Sequence, residues 1–349
     1  MRFIFVRAVL PMRFFYYDKL SGDRKQFYAD LIEGIRMFRE QIKAPASIDR
    51  DGLMAAIEAV HFDHPEFFYV NFHRILYIKY PGYYVYQPTY FYNREETEKR
   101  MDRIRQCIDR IRRSLDASPQ KSVYSICGGI HHFLVHHNTY DYDASADPEP
   151  NMYAYTIEGP FLKGKAVCEG FAMAFRYLCI LYRIDALVVT GVSLKPGCKD
   201  YELHAWNIIR QGDQCAHIDA TWDLCLTDDR AETRYDYFFL ADRDMISDHQ
   251  YVGFPHCNLR DMSYHERRGL RFKSLLDLGN YLNRRFADAG KLQKGTRVYL
   301  DFRIDFKKEA KEISEFTAEK IRSRTRSGFQ YSYSVNEAQS VYTFDITIL

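Results

Sequence analysis

The chain has 349 residues, 46% hydrophobic and 28% charged, with a net charge of +2. This is the make-up of an ordinary folded protein of two or three structural units. So little excess charge gives no electrostatic footing for a nucleic-acid partner, and the sequence holds no run of ~18 apolar residues to span a membrane.

The first eleven residues are interrupted by Arg7 and stopped by Pro11, unlike a secretory signal, so a cytoplasmic location is expected. Phe27, Leu31, Ile35 and Phe38 recur at helical spacing and predict a helix over 21–41 with Asp23 as its cap. A shorter helix follows over 51–61. Asp63, His64, Pro65 and Glu66 break it, and the chain is expected to become strand-like from Phe67. Residues 75–92, rich in Tyr, Ile and Val around Pro81 and Gly82, read as a hairpin. Residues 95–115 form a charged amphipathic helix with Met101, Ile104, Ile108 and Ile111 on one face, ended by Ser118 and Pro119. Its arginines at 103, 105, 110, 112 and 113 are diluted by Asp102 and Asp109, which favours a solvated face over a nucleic-acid stripe.

A second unit begins near Gln120. Helix is expected over 123–138, a polar loop over 140–151 and helix again over 168–183. A strand over 186–190 leads to a turn at Lys195, Pro196 and Gly197. Strands over 203–210 and 215–222 then join at Gly212 and Asp213. One helix followed by antiparallel strands is an α+β order, not the alternating order of a parallel sheet. From Thr296 the tail reads strand, helix over 307–323, then strands, with period-two alternation over 335–344 around a polar turn. The expected division is an N-terminal, mostly helical region with a Tyr-rich hairpin (1–118), a core (119–262) and a small C-terminal module of helix and strands (263–349). The 28 Tyr and 25 Phe against 2 Trp suit a Tyr-rich core and sheet, and are compatible with binding an extended polymer.

Eight cysteines stand at 107, 127, 168, 179, 198, 215, 225 and 257, with no Cys-x-x-Cys pair, so buried reduced thiols are expected rather than a zinc site or a disulfide framework. His132 and His136 are four apart within the cluster His131, His132, His136 and His137, which is ligand-like spacing. No Glu completes a His-Glu-x-x-His motif, and the intervening Phe133, Leu134 and Val135 favour a packed helix. With no calcium loop either, no metal or other cofactor is expected.

The chemistry points to residues 164–172. Gly164 and Gly170 flank Cys168 at the start of a predicted helix, where unpaired backbone N–H groups and the dipole favour a thiolate, and the glycines would let backbone and substrate approach closely. A structural buried cysteine is the competing account. A thiol nucleophile needs a base and the base an orienting acid. His204 opens a strand after the Gly/Pro turn, and Asp219 lies in the next strand, within reach across the Gly212–Asp213 hairpin. Asp223 and His217 share the strand parity of Asp219, so alternation does not separate them. Trp206 and Trp222 flank the three residues and either shield the His–Asp pair or simply pack.

Gly164-Lys-Ala-Val-Cys168-Glu-Gly170-Phe-Ala172, His204-Ala-Trp-Asn207 and Asp219-Ala-Thr-Trp-Asp223 together resemble the transglutaminase-like superfamily, particularly its bacterial members. Ile130 to Leu134, Thr139-Tyr140-Asp141 and Tyr237-Phe-Phe-Leu240 extend the resemblance over residues 120–245; His132 departs from it, standing where an acidic residue is expected. The resemblance implies a papain-like α+β core with Cys168 as nucleophile, His204 as base and Asp219 as orienter, and it favours Asp219 over Asp223. It implies attack on an amide carbonyl, a thioester, and resolution by water or an amine, with a peptide or protein as substrate. Tyr140 is the candidate second oxyanion donor beside the Cys168 N–H, and Trp206 the candidate for positioning substrate. Peptide hydrolysis is favoured over crosslinking; the rival is a binding or scaffold module that keeps the fold without catalysis.

Overall fold

The computed structural model describes residues 14–116, 122–194, 200–227, 232–259, 261–287, 293–325 and 328–349. The readings made on residues 1–11, on Ser118 and Pro119, on the boundary at 118–119, on the 195–197 turn and on Cys198 lie outside them.

Helix α1 (Asp23–Arg36) is shorter than expected, because Phe38 adopts a positive φ of 55°. Asp23 is its first residue and not its cap, a place Gly22 takes without a side-chain bond; the Asp23 carboxylate instead accepts the Ser47 hydroxyl. Asp49 caps α2 (Arg50–Asp63), accepting the Gly52 N–H at 2.8 Å. Pro65–Phe67 is one turn of 3-10 helix, and the chain continues as turn over 68–69 where strand was expected from Phe67. The hairpin forms as β1 (Leu76–Tyr80) and β2 (Tyr83–Gln87), and α3 (Arg94–Asp116) follows.

The core opens with α4 (Val123–His136), whose capping box joins Ser122 and Ser125. Helix α5 (Cys168–Leu181) is apolar on nearly every face, the pattern of a helix enclosed by protein. It packs on β3 (Ala186–Leu194) and β4 (Tyr201–Gln211), the centre of a five-stranded antiparallel sheet. The sheet is completed by β5 (Gln214–Ile218), β6 (Phe238–Leu240) and β7 (His249–Gln250), in the order β7–β3–β4–β5–β6, with α6 (Ala220–Leu226) between β5 and β6. One mixed α+β layer arrangement follows, as the element order predicts.

Phe27, Leu31, Ile57 and Val60 from the N-terminal helices share a continuous apolar cluster with Phe171, Phe175, Leu178, Val188 and Ile209. The N-terminal segment therefore packs directly on the back of α5. The tail has its own apolar cluster, built on α7 (Leu275–Arg285), β8 (Arg297–Ile304), α8 (Ala310–Arg322) and the hairpin of β9 (Phe329–Asn336) with β10 (Val341–Ile348). It meets the core through polar contacts: Arg303 donates to Asp244 at 2.7 Å, and Asn336 to Asp236 at 3.0 Å. No helix among the described residues is long and apolar enough to cross a membrane.

Candidate active site

Cys168 is the first residue of α5, with Val167 extended before it at φ −92° and ψ 175°. Gly164 makes the preceding bend at φ +68°. Gly170 faces the chain itself and not a ligand: a Cβ there would lie 2.2 Å from the Ala154 carbonyl oxygen. That carbonyl also accepts the Val167 N–H at 3.1 Å, so the 152–155 turn is clamped beside the sulfur. Gly170→Ala is expected to push the turn away and cost about 1–3 kcal/mol in urea unfolding; unchanged stability would contradict the clamp.

Strand β4 carries His204 past the end of β5, where Ile218 pairs with Asn207 and the chain then leaves the sheet. Asp219 sits at that departure. Its Oδ1 accepts the N–H groups of Thr221 at 2.9 Å and Trp222 at 3.0 Å, capping α6, while Oδ2 meets His204 Nε2 at 2.6 Å. One carboxylate thus serves as helix cap and imidazole partner, with no rotational freedom left. Cys168 lines the same cleft as His204, and its sulfur helps to hold the proton on the imidazole. Burial opposes charge on His204, but Asp219 and then Cys168 outweigh it and raise the imidazole to about 10. Burial likewise opposes charge on Asp219, and His204 and His249 overcome it, holding the carboxyl well below the usual range. The three residues therefore form a proton-holding imidazole between a sulfur and a fixed anion.

The strand expected over 215–222 ends at Ile218, because Asp219 caps a helix in its place. Strand parity therefore has no bearing on Asp219 and Asp223. Asp223, one helical turn on, is buried against His131 at 2.8 Å and accepts the Tyr237 N–H at 3.1 Å. Burial pushes the Asp223 carboxyl well up, with Asp236 adding to it, and burial holds His131 down to about 3. Both shifts favour the uncharged forms of this second His–Asp pair, and neither residue lines the cleft that holds Cys168. His217 accepts the Trp206 indole N–H on Nδ1 at 3.0 Å and meets Asp242 through Nε2 at 2.9 Å.

Trp206 is 1% exposed, so its ring backs His204 at 5.8 Å and does not face a ligand. Trp222 stands edge-on to His204 at 6.2 Å, and its N–H reaches Ser193 at 3.3 Å. Tyr140 lines the same cleft as Cys168 and His204, a depression of about 870 Å³. Burial raises its phenol and the nearby sulfur raises it further, so it remains an O–H donor. Of the histidine cluster, His132 and His136 meet Thr233, and their rings lie 4.3 Å apart.

Several site residues escaped the sequence reading. Glu169, next to Cys168 in the chain, accepts His61 at 2.8 Å and His73 at 2.9 Å on one oxygen. Burial opposes its charge, and the two imidazoles still bring it down to about 2. His249 meets Asp219 Oδ2 at 3.2 Å. Among the described residues, three groups bring donor atoms within 4.8 Å of one another: His61, His73 and Glu169; His204, Asp219 and His249; His217, Asp242 and Cys257. In each, histidine nitrogens already hydrogen-bond the carboxylate, so proton sharing accounts for the convergence.

No protein-family model matches the chain, and no curated protein matches it. Among solved structures it is similar to a TGase at TM-score 0.31 and 16% identity, over 56% of this chain and 54% of that one. It is also similar to a candidate cysteine protease from Cytophaga hutchinsonii at TM-score 0.25 and 12% identity, over 42% of this chain and 61% of that one. The chain thus spans between half and two thirds of the length of each.

Proposed function

We propose that the chain is a cysteine-dependent amide hydrolase of transglutaminase-like, papain-like type, acting on a peptide or protein. The observation that carries this is His204 held between Cys168 and Asp219 at the mouth of an open cleft, with the sulfur at a helix N-terminus. The imidazolium form of His204 favours a thiolate on Cys168. Sγ attacks the amide carbon, an S–C bond forms, and the carbonyl π pair moves to oxygen. The Cys168 N–H, one of the unpaired donors of the first helical turn, and the Tyr140 hydroxyl receive that oxyanion. Collapse breaks the C–N bond, and the leaving amine takes the His204 proton. Water then attacks the thioester as His204 takes its proton, releasing the acid and the thiolate.

Leu203 and Val252 at the cleft mouth are 89% and 88% exposed, so the site is open to solvent and water is always at hand as acceptor. An amine would resolve the same thioester into a new amide. The test supplies a glutamine-containing protein together with a labelled primary amine. Unlabelled fragments that are absent with Cys168→Ala support hydrolysis; label incorporation without fragments overturns the preference for it.

A further inference from the structure

Asp219 holds two histidines through one oxygen. Its Oδ2 meets His204 Nε2 at 2.6 Å and His249 Nε2 at 3.2 Å. On the far side of the second ring, His249 Nδ1 faces Asp248 Oδ1 at 2.6 Å, and Tyr237 donates its hydroxyl to Asp248 Oδ2 at 2.5 Å. Asn336, from the C-terminal hairpin, donates to the Tyr237 oxygen at 3.3 Å. Asp219, Tyr237, Asp248, His249 and Asn336 are all buried.

Ionised carboxylates only accept, so a His249 ring that donates from both nitrogens is the form that satisfies both acids. A buried charge is tolerated when it is paired and hydrogen-bonded on this pattern. Signs then alternate from the Cys168 sulfur through His204, Asp219 and His249 to Asp248. Other titratable neighbours are Tyr237, whose phenol burial and Asp248 keep protonated, and His217, which burial keeps neutral. His249 is fully buried and does not line the cleft.

We infer that His249 is a positioning residue for the Cys168–His204–Asp219 chemistry: it orients Asp219 and takes a share of its negative charge, which sets how firmly His204 holds the proton of Cys168. This rests on the triad proposed above. The two hydrogen bonds of Asp219 Oδ1 to the α6 backbone fix one oxygen, and the paired histidines fix the other.

The experiment follows Cys168 alkylation by iodoacetamide against pH in the full chain and in His249→Gln, His249→Phe and His204→Ala, with Tm recorded for each. Glutamine keeps an N–H for Asp219 but carries no charge. Asp219 then gives its full charge to His204 and the imidazolium persists to higher pH, but with one cation fewer near the sulfur the acid limb of the profile moves up by about one pH unit. Phenylalanine removes the N–H as well and lowers the plateau rate about 10-fold through misplacement of Asp219. Acid limbs and plateaus matching the unaltered chain in both His249 variants would overturn the inference, even with a lowered Tm, while a lost plateau in His204→Ala keeps the triad. A wild-type profile in His204→Ala would bring down the triad and the role of His249 with it.

Discussion

Near pH 6, iodoacetamide is expected to modify Cys168 far faster than Cys225, the other described cysteine that is not buried. An ordinary thiol, with a pKa near 8.5, is thiolate in only about one part in 300 at that pH. In the proposed mechanism the helix N-terminus and the His204 imidazolium both favour an anion at the Cys168 sulfur. His204→Ala removes the cation and is expected to slow alkylation on the order of 100-fold at pH 6, by the fall in thiolate fraction. The deficit shrinks toward pH 9, where an unassisted thiol ionises anyway. Asp219→Asn is the informative companion, since its carbonyl oxygen can still cap α6 while the charge on His204 is lost. An intermediate loss of about 10-fold is expected there, with α6 intact by circular dichroism. Site-resolved mass spectrometry separates the two sulfurs. A Cys168 rate equal to that of Cys225, unmoved by His204→Ala, would return the molecule to the scaffold account.

Much of this site was legible because its signals are local. Cys168 stands where a glycine-bounded turn meets an apolar run, and both are visible within ten residues. His204 and Asp219 follow at the spacing of one hairpin. The misreading of residues 219–222 has a simple physical cause. Ile218-Asp219-Ala220-Thr221-Trp222 alternates like a strand, yet Asp before a short polar-apolar run is equally a helix cap. Backbone N–H groups without partners decided for the cap. His249 left no comparable trace: it lies 30 residues beyond Asp219 on a two-residue edge strand, and only sheet closure brings it to the carboxylate. Glu169 is similar, because its partners His61 and His73 arrive from the N-terminal segment by tertiary packing.

Arg176→Met is expected to cost the fold about 3–5 kcal/mol at neutral pH, the largest effect on stability of any substitution considered. Arg176 is a fully buried charge in the middle of α5, two turns behind Cys168. It donates to the Ala186 carbonyl at the start of β3, to the Asp63 carbonyl at 3.2 Å and to Asp63 Oδ1 at 3.4 Å. Asp63 in turn accepts the Tyr17 N–H at 2.9 Å, so the pair ties the N-terminal segment, α5 and the sheet together. Methionine keeps most of the volume but strands a buried carboxylate. Burial already raises Asp63 to about 6, with Arg176 and the tyrosine N–H groups pulling against it. Its folded value lies above the unfolded value of about 3.9, so folding favours the protonated acid. This group's contribution to stability is therefore fully present below about pH 4 and lost as pH rises through about 6. Without Arg176 the carboxyl rises further, and protonation relieves the stranded charge over a wider acid range. The urea-unfolding deficit of Arg176→Met should accordingly be smaller at pH 5 than at pH 8. A deficit below about 1 kcal/mol, or one equal at both pH values, would mean that the pair contributes no more than an exposed ion pair does.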